Sequence, residues 1–243
     1  MLLLLPKELR ELILSYLTRK EYKEIVPCKG LLLCKSYLSL NKFAKKKELP
    51  KVNLSTKELE NLFLKSCETP NLWLVDKLII NFKVDPSIND NDAVHGASHD
   101  GHLEIVERLL KDPRVDPSTC QNCSIRWASQ QNHIKIVELL LLDHRVDPSA
   151  MNNGAIFQAS EKGYLKVVKR LLQDPRVNPS AWNNRAVYLA SCYGHVKVLE
   201  VLLQDERVDP SDKNNRAYRM SLAKGYTKIT ERLLLDPRVR AKL

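Results

Sequence analysis

Apolar residues recur along much of the chain with the spacing of an amphipathic helix. In the stretch 165–172 they fall at i, i+3, i+6 and i+7, so they share one helix face. They are Leu165, Val168, Leu171 and Leu172. A shorter run of small and apolar residues, 155–160, precedes this stretch across a polar turn. The pattern predicts two helices joined by a tight turn, and the second of them recurs at 103–110 and 196–203.

The tetrad Val-Asp-Pro-Ser, once with Asn for Asp, opens five successive stretches of 31 residues, and a sixth valine follows at the same interval. These valines are Val84, Val115, Val146, Val177, Val208 and Val239. A constant period between about 20 and 50 residues indicates a solenoid of stacked copies of one unit. We number the units 1 to 5 as 84–114, 115–145, 146–176, 177–207 and 208–238.

The tetrad itself predicts an extended loop between units. Its proline fixes φ and lacks an amide donor, and its valine is the expected inward anchor. An Asp-Pro pair just before the loop, as at Asp174-Pro175, stops the preceding helix because a residue before proline leaves the α region. We interpret the Asp and Arg of these loops as loop and surface residues rather than as a catalytic pair.

Two further positions repeat in every unit. The turn between the helices is Gly101, Asn132, Gly163, Gly194 and Gly225. This choice predicts a left-handed residue at the end of the first helix. The start of the first helix is Asn91, Asn122, Asn153, Asn184 and Asn215. There we expect the asparagine side chain to cap the free amides of that helix.

Residues 92–111, DAVHGASHDGHLEIVERLLK, resemble the ankyrin-repeat pattern TPLHLAAxxGHLEVVKLLL, and residues 185–204 resemble it too. The resemblance implies an all-α ankyrin-repeat solenoid of helix–turn–helix units. It divides the chain into an N-terminal helical segment (1–52), a degenerate first repeat (53–83), five repeats (84–238) and a tail (239–243). The RVDPS loop is similar to a variant abundant in ankyrin proteins of large DNA viruses of protists. The histidine of the family's Thr-Pro-Leu-His motif is present only as His95.

The segment 1–52 has no place in the 31-residue register. Residues 5–17, LPKELRELILSYL, resemble the first helix of an F-box. That resemblance implies docking to the Skp adaptor of a cullin–RING ubiquitin ligase. The contact residues that it implies are Leu5, Pro6, Leu9, Ile13 and Leu17. Pro27 and Gly30 interrupt the following stretch, and the alternative is an amphipathic helix that only caps the solenoid.

Composition narrows the choice of partner. Most of the net charge of +10 lies in residues 1–52 rather than along the repeats, which favours a solvated surface over nucleic-acid binding.

No apolar run approaches the roughly 18 residues of a membrane span. Six cysteines form no disulfide framework, in agreement with a reducing compartment. We therefore expect an intracellular monomer in the cytoplasm or nucleus, without a cofactor.

Candidate catalytic and metal residues are few. Cys120, Cys123 and His133 provide fewer ligands than the four of a structural zinc site, and His133 occupies the Gly-His position of the family pattern. Cys192 and His195 lie three residues apart, but an ordinary surface cysteine explains Cys192 without a nucleophilic role. We find no catalytic motif and expect a protein that is not an enzyme.

The positions that vary between units are the better candidates for function. Ankyrin solenoids bind protein partners with loop tips and first helices, and Trp, Tyr and Arg are enriched in binding hot spots. The resulting candidates are Arg126, Met151, Phe157, Trp182, Arg185, Tyr188, Tyr193 and Arg216. Several of them, Phe157 above all, could instead fill gaps left by the missing family motif. The sequence predicts either a substrate adaptor for ubiquitin ligation or a plain scaffold or decoy that blocks its partner.

Overall fold

The computed structural model describes residues 55–69 and 71–243, and over these residues it contains α-helices and no strand. The F-box-like motif of residues 5–17 lies outside the described residues. The helices are α1 (Thr56–Cys67), α2 (Leu72–Ile80), α3 (Ile88–Asp100), α4 (Leu103–Leu110), α5 (Thr119–Gln130), α6 (Ile134–Leu142), α7 (Ala150–Lys162), α8 (Leu165–Leu172), α9 (Ala181–Cys192), α10 (Val196–Leu202), α11 (Asp212–Ala223), α12 (Thr227–Leu234) and α13 (Pro237–Arg240).

Each of the five units contributes one pair of these helices, from α3 and α4 in unit 1 to α11 and α12 in unit 5. The first helices form one row, in which each packs extensively on the next, whereas consecutive second helices touch much less. The fold is therefore the all-α solenoid of helix–turn–helix units that the sequence predicts. The fully buried valines of its loops, such as Val115 and Val177, are the predicted inward anchors.

The tip of each unit, at the start of the first helix, is a left-handed turn of three residues that the sequence pattern did not predict. In unit 3 Met151, Asn152 and Asn153 have φ of 54, 54 and 68°. The corresponding residues of units 1, 2, 4 and 5 are also left-handed, at Asn89–Asn91, Cys120–Asn122, Trp182–Asn184 and Lys213–Asn215. Asparagine tolerates this region better than most residues with a side chain, which explains its frequency here.

The third tip asparagine does not cap its own helix, so that prediction was wrong. Instead, in units 1 to 4 its Oδ1 accepts a hydrogen bond from a backbone N–H in the loop of the next unit. Asn91 accepts from Asp116 at 2.8 Å, and Asn153 accepts from Asn178 at 2.7 Å. The left-handed turn points the side chain away from its own helix, and the bond joins neighbouring units.

The Asp and Arg that surround each loop form a second repeated link. Arg176 makes two bonds to the Asp174 carboxylate, at 2.9 and 2.7 Å, and its Nη1 donates to the Val146 carbonyl at 2.7 Å. Arg145 and Arg207 make the same three bonds one unit earlier and one unit later. These bonds attach the loop of each unit to the loop of the preceding unit, which agrees with a structural role for the motif.

The turn residues are left-handed as predicted, with φ of 65° at Asn132 and 77° at Gly163. At Gly163, glycine is also needed because a side chain would have no room. A Cβ at Gly163 would lie 2.5 Å from Nδ1 of His195, whose Nε2 bonds the Glu161 carbonyl at 2.8 Å. At Gly194 the next unit has Tyr226, and the nearest atom would be 3.3 Å away.

The C-terminal end of the stack differs from the other units. Thr227 is exposed, whereas Thr230 is half-buried and its hydroxyl lies 3.0 Å from that of Ser221. Beyond unit 5, Val239 is fully buried and its carbonyl accepts a bond from Asn215 at 2.9 Å. The last described valine of the series therefore packs on the stack like its predecessors.

Candidate functional site

The first-helix face comprises the five tips and the exposed side of helices α3, α5, α7, α9 and α11. Among the predicted binding residues, Met151, Trp182 and Tyr193 are about half exposed, at 52, 60 and 49%. Arg216 is exposed, and Arg126, Arg185 and Tyr188 are half-buried. Phe157 is buried at 5% exposure. Seven of the eight side chains are thus accessible to a partner, and Phe157 is almost entirely covered.

Trp182 is the most exposed of these aromatic side chains, and two neighbours hold its ring in place. Phe157 of the preceding unit stacks against it with an interplanar angle of 12° and a centroid distance of 6.5 Å. The guanidinium carbon of Arg185 lies 4.7 Å from the centroid of the indole ring. A buried neighbour therefore supports an exposed indole, as is typical of a preorganised binding anchor.

Two further aromatic–cation pairs connect unit 4 with unit 5. The Arg216 guanidinium carbon lies 3.7 Å from the centroid of Tyr188, and the Lys224 Nζ lies 5.5 Å from that of Tyr193. We call Phe157, Trp182, Arg185, Tyr188, Tyr193, Arg216 and Lys224 the aromatic–cationic cluster. Such cation–π pairs contribute about 0.5–2 kcal/mol each to stability, depending on how far they are shielded from water.

Of the remaining predicted residues, Met151 lies in the tip of unit 3 and Arg126 lies in α5, just after the tip of unit 2. Arg126 bonds the Gln121 and Cys120 carbonyls at 3.1 and 3.2 Å, and its Nη2 lies 3.1 Å from Sγ of Cys123. Burial lowers the pKa of its guanidinium, which is nevertheless charged at neutral pH. Arg126 is thus tied to its own tip rather than to the aromatic–cationic cluster.

The cysteine and histidine candidates have other partners than those considered from sequence. A disulfide joins Cys120 to Cys123, although the sequence predicted no disulfide, because the left-handed tip brings their Cα atoms to 5.4 Å. His133 bonds the His99 carbonyl at 2.9 Å. The described residues contain no cluster of three or more His, Cys, Asp or Glu suited to a metal ion.

Cys192 is buried rather than on the surface, which corrects the sequence interpretation. Hydrogen bonding to Cys192 is the largest of the effects that raise the pKa of the Tyr188 hydroxyl, followed by burial. His195 bonds the Glu161 carbonyl. Cys192 and His195 therefore contact different groups and do not form a nucleophile–base pair.

The charge of the first-helix face changes along the stack. Unit 1 exposes acidic side chains on this face, namely Asp90, Asp92 and Asp100. Unit 5 exposes basic ones, namely Lys213, Arg216, Arg219 and Lys224. The aromatic–cationic cluster lies toward the basic end, so a bound segment would meet positive charge beside exposed aromatic rings.

Comparison with known proteins relates part of the chain to a known family. A family model described as ankyrin repeats (3 copies) matches residues 62–152. Its boundaries cover the end of α1, all of α2, the whole of units 1 and 2, and the start of unit 3, and the later units repeat the same structure. No curated protein matches the chain. The fold is an ankyrin solenoid, and ankyrin repeats form protein–protein interaction modules.

Sequence reasoning missed Lys224 and the links between units. Lys224 follows the first helix of unit 5, where a cationic residue next to the turn carries no obvious signal. A signal for the tips was present in the Asn-Asn pairs at 152–153, 183–184 and 214–215, because asparagine favours left-handed backbone. Among the described residues no helix is long and apolar enough to cross a membrane.

Proposed function

We propose that this protein binds an acidic segment of a partner protein through the first-helix face, with the aromatic–cationic cluster as the centre of the contact. The observation that carries the proposal is the exposed Trp182 ring, stacked on Phe157 and flanked by Arg185. An exposed aromatic side chain held by packed neighbours loses little side-chain entropy on binding.

The basic end of the face supports an acidic partner. Arg216 lies over the ring of Tyr188 and Lys224 lies near the ring of Tyr193, and both cations can pair with carboxylates that approach the rings. The Tyr193 hydroxyl itself faces the carboxylate of Glu161, which raises the pKa of that hydroxyl. Complementary charge accelerates encounter and sets the orientation of the partner. The acidic side chains of unit 1 then disfavour the reversed orientation, in which the acidic part of the partner would lie at that end.

The test selects peptides from a random display library on the full-length protein. We expect selected peptides to combine Asp or Glu with an aromatic residue. Trp182→Ala should weaken their binding about 10- to 100-fold, as for a hot-spot tryptophan. Leu142→Ala is the matched control, because Leu142 is also a large exposed apolar residue, at 79% exposure, but lies on a second helix. Equal binding by both variants would refute the proposed site.

The finer function that we propose is that of a substrate adaptor for a cullin–RING ubiquitin ligase. It rests on the motif LPKELRELILSYL at residues 5–17, which lies outside the described residues. The predicted contacts with the Skp adaptor are those of Leu5, Pro6, Leu9, Ile13 and Leu17. The stack would then hold the substrate while the N-terminal segment holds the ligase.

The alternative function is a scaffold or decoy that binds a host or cellular protein and blocks it. Binding of purified Skp adaptor to the full chain distinguishes the two functions, with Leu9→Asp and a chain starting at Val52 as comparisons. Binding that both changes abolish supports the adaptor. A folded full chain that does not bind Skp leaves the scaffold, and binding that survives both changes excludes the F-box-like motif as the contact.

A further inference from the structure

Unit 2 differs from the other four units in one chemical respect, since it has one cysteine in its tip, Cys120, and a second directly after it, Cys123. Cys120 and Cys123 are joined by a disulfide, and their Cα atoms lie 5.4 Å apart. Cys120 is exposed, whereas Cys123 is 1% exposed. One sulfur therefore belongs to an accessible residue and the other to a covered residue.

The disulfide is not what shapes the tip. The φ angles of Cys120, Gln121 and Asn122 are 53, 55 and 58°. In unit 5, where Lys213 and Arg216 replace the cysteines, the three residues from Lys213 have φ of 49, 56 and 56°. The other tips have the same left-handed backbone without a disulfide. Opening the bond should consequently leave the fold in place, so the backbone keeps the two reduced cysteines close enough for the bond to form again.

Arg126 gives the pair an electrostatic asymmetry. Its Nη2 lies 3.1 Å from Sγ of Cys123. Arg219, at the same position in unit 5, also reaches its tip and bonds the Lys213 carbonyl at 3.3 Å. An arginine thus reaches the tip in both unit 2 and unit 5, but only in unit 2 does its charge lie beside a sulfur. A guanidinium in that place stabilises a thiolate.

We propose that Cys120 and Cys123 form a reversible redox site that exchanges with low-molecular-weight thiols of the glutathione class. A thiolate attacks Sγ of Cys120, the bond between the two cysteines breaks, and its electron pair leaves on Sγ of Cys123 beside Arg126. A second thiolate attacks the external sulfur of the mixed disulfide and releases the Cys120 thiolate. Two protons complete the dithiol, while two external thiols become one disulfide. The reverse sequence reoxidises the pair.

A hydrogen-bond acceptor for the reduced thiol of Cys123 lies close to it. Sγ of Cys123 lies 2.7 Å from the Cys120 carbonyl oxygen, so the thiol can donate a hydrogen bond there. The buried Cys67 provides an internal control, because burial raises the pKa of its thiol to about 12 and keeps it protonated at neutral pH. Cys67 should therefore react slowly with thiol reagents under conditions in which the reduced pair reacts.

The experiment equilibrates the full-length protein in glutathione buffers from fully reducing to fully oxidising. Free thiols are alkylated, and the peptide with residues 120–123 is quantified by mass spectrometry. We expect the pair to convert completely in both directions in one two-electron step, with an unchanged circular dichroism spectrum. A pair that stays reduced throughout, or stays oxidised throughout, overturns the proposal, as does loss of helicity on reduction.

Two sets of variants test the parts of the mechanism. Arg126→Gln should slow reductive opening several-fold, and Arg126→Lys should restore part of the rate because it retains the charge. Exchange by Arg126→Gln at the parent rate would remove Arg126 from the mechanism. The double variant Lys213→Cys/Arg216→Cys places the same pair on a tip of equal backbone beside Arg219. It should oxidise in the same buffers, and failure to do so would refute the role of the tip geometry.

Discussion

At the scale of single residues, the third asparagine of each tip combines two roles that no other side chain combines as well. Asn153 has φ of 68° and is 6% exposed, and its Oδ1 accepts the amide of Asn178 at 2.7 Å. The left-handed backbone costs a residue with a Cβ roughly 1–2 kcal/mol, and asparagine lowers that cost. A net hydrogen bond contributes about 1 kcal/mol.

Substitution of Asn153 separates these two contributions. Asn153→Gly loses the hydrogen bond but accepts positive φ, so we expect a loss of about 1–2 kcal/mol in the free energy of unfolding. Asn153→Ala loses the hydrogen bond and also tolerates positive φ poorly, so it should lower the free energy of unfolding by about 1 kcal/mol more. Urea unfolding followed by circular dichroism measures the difference. If the alanine variant were as stable as the glycine variant, the tip would not require left-handed backbone.

His95 makes the stability of the stack depend on pH. Its Nδ1 and Nε2 lie 2.8 and 2.9 Å from the hydroxyls of Ser124 and Thr119 in the next unit. Burial lowers the pKa of the ring and outweighs the nearby carboxylates that raise it, Asp90 among them. The unfolded chain therefore binds the proton more tightly than the folded chain, so acid favours unfolding.

We expect the free energy of unfolding to fall as the pH drops below about 6.5, the ordinary pKa of histidine, and to level off below the lowered pKa of the folded state. One proton changes it by at most about 1.4 kcal/mol per pH unit. Urea midpoints measured between pH 7.5 and 5 for the parent and for His95→Gln check this. A parent and a variant with parallel pH profiles would show that His95 does not carry the effect.

At the scale of the elements, the turn between the two helices serves as a joint between neighbouring units as well as a helix end. Gly163 and Gly194 are both left-handed, with φ of 77 and 80°. They differ in what faces them, because a Cβ at Gly163 would meet the ring of His195 and one at Gly194 would meet Tyr226 at a greater distance. The two glycines thus form a matched pair for substitution.

Gly163→Ala should be more destabilising than Gly194→Ala. Both variants bear a backbone cost of about 1 kcal/mol. Gly163→Ala also displaces His195 and breaks its hydrogen bond to the Glu161 carbonyl, which should lower the free energy of unfolding by about 1–2 kcal/mol more. The double variant Gly163→Ala/His195→Ala removes the clash, so the two changes should be markedly non-additive in urea unfolding. Strict additivity would contradict the steric explanation.

The helices and turns were predictable from sequence, whereas the contacts between units were not. Amphipathic spacing and the recurring glycine are local signals, and both pointed to the observed elements. The third tip asparagine looked like a helix cap because its true partner lies 25 residues away, as for Asn91 and Asp116. The stacking of Phe157 on Trp182 is equally non-local, so the candidate site could be located by residue type but not by geometry.

At the scale of the whole molecule, the stack is close to one-dimensional, because each unit touches mainly its neighbours. Stability in such arrays is the sum of unit terms and interface terms. A substitution in a middle unit weakens its interfaces with both neighbouring units, whereas a substitution in the last unit weakens a single interface. The six valines with the 31-residue spacing, all at most 5% exposed, allow the same side chain to be removed at either place.

Val177→Ala and Val239→Ala delete equivalent buried methyl groups, at 0% exposure in both places, for about 1–2 kcal/mol each. We expect Val239→Ala to accelerate amide hydrogen exchange in α12 and α13 only, since the end of the stack can open by itself. Val177→Ala should accelerate exchange in units 3, 4 and 5 together, because the outer unit loses its support when the middle opens. Uniform acceleration along the chain by both variants would instead mean that the stack unfolds as one cooperative body, with no separate opening at its C-terminal end.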